Sequence, residues 1–569
     1  MTRLSPSTFL LALGLALLGC GPSAVNPIQP GPAAPAPPAA PKTLTFAVPD
    51  EPGPLISTIG GSSRRVAEDI ANAVHQHLAN YDDTGRVHPM LASELPSTER
   101  GTWTVRPDGT MQTTYPLRRD VTWHDGTPFT AKDVVFAWAV TRDPSAGMAD
   151  RVVADLISGI TTPDDFTLVI EWAKTYPFAN AIVEEDLGPY PVHLLESLYQ
   201  TDHERFRNAN YWTTQFVGLG PYRLAEWELG SHLTLQKYDR FHAGPAKIDT
   251  IVVRFLGDEA TIVANLLAGT VDGVNPNGIT FNEALLVKSE WEKAGTKPVG
   301  IVQTTHWRIM GTQFRVPNPR EITDVRIRRG LLHALDRKAM VDHQFRGLAP
   351  LSDTFVPQED PKWDWVKDVV TRYEYDPARA QQLLAEGGWT RGSDGALADA
   401  SGRRVSIPVW SSSRRTEDEL ALIGDYWKQV GADVQQIILT SAQNNDREYQ
   451  ANFPAFFTDQ ASIIFRNLMN KTYSGNCPTA ATRWIGGNGG CYSNPAVDRA
   501  VDALTIATQQ GDQQRLYREL VKLQTEELPI LPLYFLVRMS LFRDGVTGVK
   551  GDTNPRTGLM WNVAEWDVR

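Results

Sequence analysis

His124 and Asp125 stand side by side in residues 117–138, which read LRRDVTWHDGTPFTAKDVVFAW. An imidazole beside a carboxylate is the pair that many hydrolases use for proton transfer. Adjacent residues on a turn tend to point apart, however, and a catalytic carboxylate normally reaches its histidine from elsewhere in the chain. The sequence also has no G-x-S-x-G elbow to supply a nucleophile. We therefore interpret His124 and Asp125 as part of a structural turn.

The other histidines do not suggest a metal site. His75 and His77 are two positions apart and are predicted to face opposite sides of a helix, which is poor geometry for a shared metal ion. His193, His203 and His242 are isolated in the sequence. We expect neither a metal nor a cofactor, and a hydrolase is the least favoured of the functions considered.

The elements around this turn follow from local signals. Residues 107–109 (PDG) predict a turn, and residues 111, 113, 115 and 117 then alternate as on one face of a strand. Thr130 is predicted to cap the following helix, with Asp133 in the capping-box position. Asp376–Pro377 and Asn494–Pro495 mark two further helix starts. Strands alternate with helices along the chain, which predicts an α/β protein.

The N-terminus is typical of an export signal. Arg3 precedes an apolar run over residues 9–19, which is too short to span a bilayer as a helix. Residues 17–20 (LLGC) have the pattern of a bacterial lipobox, which predicts lipidation of Cys20; a signal peptide with an incidental cysteine is the alternative. The Pro- and Ala-rich residues 21–42 are expected to form an extended tether to a membrane.

Charge and cysteine content narrow the class of protein further. The formal net charge is −11, which argues against nucleic acid as a partner. Cys477 and Cys491 are the remaining cysteines, and an exported chain usually oxidises such a pair. Closing their Gly-rich loop would add about 3 kcal/mol of stability in the chain-entropy model. Two free buried thiols are the alternative, and a metal site is disfavoured because no further ligand is near in sequence.

Several blocks of the chain carry a resemblance to a known family. Residues 117–138 resemble the signature of the family 5 extracytoplasmic solute-binding proteins, the peptide-, dipeptide- and nickel-type binding proteins of ATP-binding cassette (ABC) importers. Other blocks follow in the family's order, at residues 217–244, 266–274, 322–350, 373–389 (YEYDPARAQQLLAEGGW), 491–504 and 528–535. Most of these signature residues are interpreted as structural. The "YDRFH" segment in the second block is only a loose match.

The resemblance implies a two-lobed periplasmic-binding-protein-like fold (type II, large peptide-binding subclass) with an extra subdomain in the first lobe. After a signal peptide (1–19) and a lipidated tether (20–42), residues 43–60, 215–305 and 530–569 would form the main part of the first lobe. Residues 61–214 would form its extra subdomain, and residues 306–529 the second lobe. The ligand would bind between lobes that close over it. We expect a monomer, anchored at the periplasmic membrane face or the cell surface.

The resemblance also indicates ligand-binding residues. In peptide-binding relatives, an Asp in an aromatic-rich run pairs with the peptide's α-ammonium, and here residues 452–465 (NFPAFFTDQASIIF) place Asp459 there. Phe453 stands roughly where oligopeptide-binding relatives have an Arg for the ligand carboxylate, and Arg447 is the nearest alternative. Phe453, Phe456, Phe457 and Trp410 are expected to offer aromatic surface, although Trp410 could equally be a core residue. Asp459 could equally be a solvated loop residue.

These residues predict a cationic or partly apolar ligand, because a buried carboxylate needs a cationic partner. A peptide held mainly through its N-terminus is the first choice, and a non-peptide amine is the second. The permease subunits of an ABC importer are the expected protein partner. A sensor or chaperone on the same scaffold, which feeds no transporter, is the alternative function.

Overall fold

The computed structural model describes residues 40–56, 64–146, 151–413, 416–463, 469, 471–551 and 558–569. The predicted signal peptide, Cys20 and nearly all of the tether lie outside the described residues. Among the helices that are described, none is long and apolar enough to cross a membrane.

The chain alternates strands and helices, as the sequence predicts. The strands are β1 (Thr43–Val48), β2 (Ala79–Tyr81), β3 (Val87–Pro89), β4 (Trp103–Val105), β5 (Met111–Pro116), β6 (Ile157–Asp164), β7 (Thr167–Trp172), β8 (Tyr222–Glu228), β9 (His232–Lys237), β10 (Thr250–Phe255), β11 (Gly273–Val274), β12 (Val299–Thr312), β13 (Thr390–Arg391), β14 (Leu397–Ala398), β15 (Ser406–Ser411), β16 (Asp433–Ile438), β17 (Phe456–Ser462), β18 (Ile530–Phe542), β19 (Val546–Thr547) and β20 (Asp567–Val568). The helices are α1 (Arg64–Val74), α2 (Ala131–Arg142), α3 (Val152–Leu156), α4 (Glu184–Leu187), α5 (Val192–Thr201), α6 (His203–Arg207), α7 (Glu259–Ala268), α8 (Phe281–Lys293), α9 (Val325–His333), α10 (Arg337–Phe345), α11 (Trp363–Val366), α12 (Pro377–Glu386), α13 (Glu417–Gln429), α14 (Ser441–Asn445), α15 (Arg447–Ala451), α16 (Pro495–Leu504) and α17 (Gln510–Glu527).

One mixed sheet runs through both halves of the molecule. Its strand order is β16-β15-β17-β12-β18-β11-β1-β10-β9-β8. β1 pairs in parallel with β10 and β11, and β15 pairs in parallel with β16 and β17, whereas β12 pairs antiparallel with β17 and β18. The two parallel groups, one on each side of the β12–β18 pair, belong to the two lobes of a two-lobed α/β fold.

β12 and β18 are the long strands that join these groups. β18 is 13 residues long and runs from Ile530 to Phe542. The predicted lobe boundary near residue 305 falls inside β12, where the register with β18 shifts between Thr304 and His306. A boundary inside a continuous strand is consistent with a hinge built from the two central strands. The division of the chain into lobes and a subdomain stays a prediction.

Two large hydrophobic cores are formed by residues of the ten-stranded sheet and of the elements packed against it. The first includes Leu44, Phe46 and Val48 of β1 and extends through the four-stranded sheet β4-β5-β7-β6. The second includes Ala47 of the same strand together with α8, α9 and α13. Because successive residues of a strand point to opposite faces, β1 contributes to both cores. The second core crosses between the predicted lobes, since it joins residues 262–287 to residues 310–541.

The predicted helix starts are confirmed. Thr130 and Asp133 form the capping box of α2, and the buried Asp133 carboxylate also accepts a hydrogen bond from the Val192 backbone N–H at 3.1 Å. Burial raises the pKa of Asp133, although these hydrogen bonds oppose the shift. Asp376 caps α12 and Asn494 caps α16, each followed by proline at the first helical position. The signature block around Thr130 therefore fixes where α2 begins and how it is joined to α5.

Candidate ligand-binding cleft

The His124–Asp125 pair forms a structural turn, as predicted. The backbone N–H of Gly218 donates to His124 Nδ1 at 3.1 Å, and His124 Nε2 lies 3.1 Å from the Gly220 carbonyl oxygen. These two partners require a neutral ring with its proton on Nε2, and both nitrogens are occupied. Asp125 instead contacts His193, with Oδ2 2.7 Å from Nε2. Neither His124 nitrogen is available for proton transfer to a substrate.

The expected arrangement of His75 and His77 is wrong. Helix α1 ends at Val74, so both residues lie in the irregular segment that follows it. Their rings are in edge contact, with centroids 5.3 Å apart, and both side chains are buried. The helical periodicity that would have separated them does not continue beyond α1. Even so, within the described residues no three His, Cys, Asp or Glu side chains are grouped closely enough to hold a metal ion.

A cavity with a volume of about 200 Å³ lies beside the two central strands. Its lining comes from β12, α15, β17, the Gly-rich loop of residues 477–491 and the start of β18. The described lining residues run from Ile309 to Ile530, and all of them except Ile530 fall in the predicted second lobe. Ligand sites occur preferentially at domain interfaces, so a cavity next to the strands that join the two halves of the sheet is a candidate ligand site.

The Gly-rich loop, residues 477–491, forms one wall of the cavity. A disulfide joins Cys477 to Cys491 at the ends of this loop. Gly490 approaches β12 so closely that an added Cβ would lie 1.8 Å from the Thr312 carbonyl oxygen, so only glycine fits there. The Arg315 guanidinium donates to the Pro478 carbonyl and lies over the Trp484 ring, 5.2 Å from its centroid. The disulfide closes the loop on itself, and the contacts of Gly490 and Arg315 hold it against the end of β12 and the residues that follow.

Aromatic side chains supply much of the apolar surface of the cavity. Phe453, Phe457, Trp484 and Tyr492 line it. Phe453 and Phe457 are in edge contact, with centroids 5.7 Å apart. Such rings can pack against an apolar or aromatic group of a ligand.

Two of the aromatic residues predicted to bind ligand do not line the cavity. Phe456 is completely buried in the second core, where it packs against Trp427 at a centroid distance of 5.4 Å. Phe456 and Phe457 are neighbours on β17, and alternation sends only Phe457 to the cavity side. Trp410 lies behind the cavity and stacks on Tyr449 at 4.8 Å, so it supports Phe453 and Phe457 from the core.

Asp459 lines the cavity, as expected, but it already has a cationic partner. Its carboxylate forms an ion pair with Lys471, and the two side chains are 39% and 22% exposed, respectively. Desolvation alone would raise the pKa of Asp459, but the charge and hydrogen bond of Lys471 outweigh it and lower the pKa. The premise that the ligand must neutralise this carboxylate is therefore wrong, because the chain supplies the cation itself.

Arg447 is the other charged side chain in the lining. It is the first residue of α15, it is exposed, and it has no ion-pair or hydrogen-bond partner for its guanidinium within the described part of the chain. A planar guanidinium of this kind is suited to bidentate contact with a carboxylate. Of the residues proposed from the sequence, the structure brings Arg447, Phe453, Phe457 and Asp459 to one cavity.

Sequence reasoning missed Lys471, Trp484 and Tyr492. The Cys477–Cys491 spacing gave a signal for a closed loop, but nothing in the sequence indicated that the loop would form a cavity wall. Lys471 lies 12 positions after Asp459, outside any strand or helix periodicity that would link the two. The two residues meet only in the folded chain, and local patterns do not predict that contact.

A two-part α/β sheet joined by long central strands, with an aromatic cavity beside those strands, is typical of binding proteins of the two-lobed class. The family described as bacterial extracellular solute-binding proteins, family 5 Middle, matches residues 86–474. The chain belongs to this family, as its sequence blocks predicted. Its members are substrate-binding proteins rather than enzymes.

Individual relatives are distant but similar along most of their length. Oligopeptide-binding protein AppA of Bacillus subtilis (strain 168) is 22% identical over 520 residues, which cover 89% of this chain and 88% of the relative. The structure of NikZ from Campylobacter jejuni in complex with Ni(L-His) has a TM-score of 0.69 at 20% identity and covers 92% of this chain and 99% of its own. The oligopeptide-binding protein from Thermus thermophilus, complexed with a pentapeptide, has a TM-score of 0.68 at 20% identity, with coverages of 92% and 96%. At these identities the structures establish the shared fold.

Proposed function

We propose that this chain is a lipid-anchored, extracytoplasmic solute-binding protein that captures a short peptide between two closing lobes and delivers it to an ABC importer. The observation that carries the proposal is the cavity beside β12 and β18, which combines aromatic walls with charged groups. Phe457 and Trp484 would receive an apolar side chain, and Arg447 would bind a carboxylate. AppA and the Thermus protein, both oligopeptide-binding, support a peptide as the ligand class.

The ligand proposal predicts a defined loss of affinity when one aromatic wall is removed. Phe457→Ala is expected to weaken the binding of a short apolar peptide roughly tenfold, because a ring contact with the ligand is worth about 1–1.5 kcal/mol. Leu229→Ala is the matched control, since Leu229 is 73% exposed on the turn between β8 and β9. Calorimetry with peptides first identified by mass spectrometry of the purified protein measures both effects. Equal affinity of the two variants would contradict a role for Phe457 in binding.

The proposed anchor predicts that Cys20→Ala releases the protein from membranes or leaves it unprocessed. The physical reason is that lipid on Cys20 would be the attachment, since the apolar run of residues 9–19 is too short to span a bilayer. Membrane fractionation and mass spectrometry of the mature N-terminus test this. Wild-type protein that is fully soluble and begins at a residue other than Cys20 would exclude the anchor.

A sensor or chaperone on the same scaffold would bind the same ligand without supporting uptake. Deleting the gene and measuring uptake of the labelled ligand distinguishes the two functions. Loss of uptake that is restored by the wild-type chain supports delivery to an importer. Unchanged uptake, with ligand binding intact, supports the sensor or chaperone.

A further inference from the structure

The ion pair of Asp459 with Lys471 changes what the cavity can accept. Asp459 projects from β17 into the cavity, and Lys471 reaches it from the segment that follows that strand. Both side chains remain partly exposed, so the pair lies at the cavity surface rather than in the core. The Lys471 ammonium occupies the position that an ammonium group of a ligand would need in order to bind this carboxylate.

The charges around the cavity favour an anionic ligand. Among the described residues, the charged groups of its lining are one carboxylate, Asp459, and two cations, Lys471 and Arg447, whose formal charges sum to +1. Asp459 and Lys471 neutralise each other, and the Arg447 guanidinium has no partner among the described residues. A cationic ligand would have to displace Lys471 and would leave two like charges facing it, which is unfavourable. A ligand carboxylate would meet Arg447 without displacing any group.

We propose that Lys471 is a specificity-determining residue that takes the place of a ligand ammonium at Asp459, so that the cavity selects solutes with an anionic group and an apolar or aromatic body. The anionic group is held by Arg447, and the body packs against Phe457 and Trp484. This inference rests on the proposed solute-binding function. The sequence predicted a cationic or partly apolar ligand, whereas this inference predicts a ligand with an anionic group.

Two small probes test the charge preference without assuming a peptide. 3-Phenylpropionate and 3-phenylpropylamine share a phenyl group and differ mainly in the sign of their charge. We expect the wild-type protein to bind the carboxylate at least tenfold more tightly than the amine, as measured by ligand-observed NMR titration. Equal affinities, a preference for the amine, or no binding of either probe at millimolar concentration would overturn the proposal.

Single substitutions test which residues cause the preference for the carboxylate probe over the amine. Lys471→Met leaves Asp459 without its cation, so the preference should reverse in favour of the amine. Lys471→Arg keeps the charge and should keep the preference, which also shows that the site tolerates substitution. Arg447→Gln should remove most of the affinity for the carboxylate, whereas Arg379→Gln, an exposed arginine on α12, should change nothing. A Lys471→Met protein that still prefers the carboxylate tenfold would refute the role of Lys471.

A binding experiment with a tripeptide distinguishes failure of this inference from failure of the proposed function. Ala-Phe-Ala is compared with its N-acetylated and C-amidated forms on the wild-type protein. Little change on acetylation and at least tenfold weaker binding on amidation support both proposals. If the tripeptide does not bind but 3-phenylpropionate does, the peptide ligand is wrong and the charge preference stands. If acetylation weakens binding more than amidation does, the charge preference is wrong and the peptide ligand stands.

Discussion

Replacing Arg308 by methionine is expected to lower the free energy of unfolding by about 3–5 kcal/mol. Arg308 of β12 binds Glu419 of α13 through two nitrogens, with Nε 2.9 Å from Oε2 and Nη2 2.7 Å from Oε1. The two side chains are only 7% and 3% exposed. Burial disfavours the Arg308 charge, but Glu419 outweighs this and raises the pKa of Arg308. Arg308→Met would leave the Glu419 carboxylate buried without its cation.

Urea denaturation followed by fluorescence and circular dichroism measures this loss. The double variant Arg308→Met/Glu419→Leu is the control, because it removes both charges and should recover most of the lost stability. Arg326→Met provides a second comparison, since Arg326 and Asp324 form a partly exposed ion pair that water screens, so its loss should cost much less stability. A single variant at Arg308 that costs no more than Arg326→Met would contradict the importance of the buried pair.

Lowering the pH from 7 to 5 is expected to destabilise the protein by about 2 kcal/mol for each buried histidine whose pKa is lowered to about 4 or below. Burial lowers the pKa of His77 to about 3 and that of His124 to about 4, from an ordinary value of 6.5. Burial and the nearby His77 and His124 also lower the pKa of His75. The unfolded chain binds protons below pH 6.5 while the folded chain does not. The stability is therefore complete above pH 6.5 and falls as the pH drops towards 4.

Carboxyl groups with shifted pKa values also change the stability of the protein at low pH. Asp69 and Asp133 are buried carboxyls with raised pKa values, so their protonation stabilises the fold in acid and opposes the histidines there. Asp125, which contacts His193, has a lowered pKa and adds to the loss in acid. The interval between pH 7 and pH 5 lies above the ordinary carboxyl range and isolates the histidine contribution best.

Single substitutions test the assignment to histidine. His77→Asn removes one titrating group and should reduce the slope of unfolding free energy against pH by about 1.4 kcal/mol per unit between pH 6 and pH 5. His343→Gln is the matched control, because it removes a histidine from an exposed position on α10 instead of from the core. If His77→Asn and His343→Gln have the same slope as the wild type, the acid sensitivity has another source.

The sequence by itself was sufficient for features that depend on neighbouring residues. Capping at Thr130, Asp376 and Asn494 needs only a side-chain oxygen and the N–H groups one turn ahead, so these helix starts were predicted correctly. The PDG turn before β5 has the same local origin. The family blocks extended these short-range signals to the fold of the whole chain, which the structure and the match to residues 86–474 confirm.

The candidate site was predicted only in part, for reasons visible in single residues. Residues 452–465 pointed to the right strand, and Asp459 and Phe457 do line the cavity. The same run also suggested Phe456, whose side chain points to the opposite face of β17. The alternation of side chains along a strand was not used to choose between Phe456 and Phe457. His75 and His77 were misplaced because α1 ends at Val74, before the helical spacing assumed for them could apply.

The amino-acid sequence determined the family, the α/β class and the positions of many helix starts, because these depend on local hydrogen bonds and on the order of apolar segments. The tertiary structure decided the charge of the cavity. Lys471, 12 positions after Asp459, meets it only in the folded chain, and α15 places Arg447 at the cavity edge, where it has no partner among the described residues. Electrostatic interactions depend on distances between side chains, and those distances are set by the folded path of the chain rather than by its local pattern.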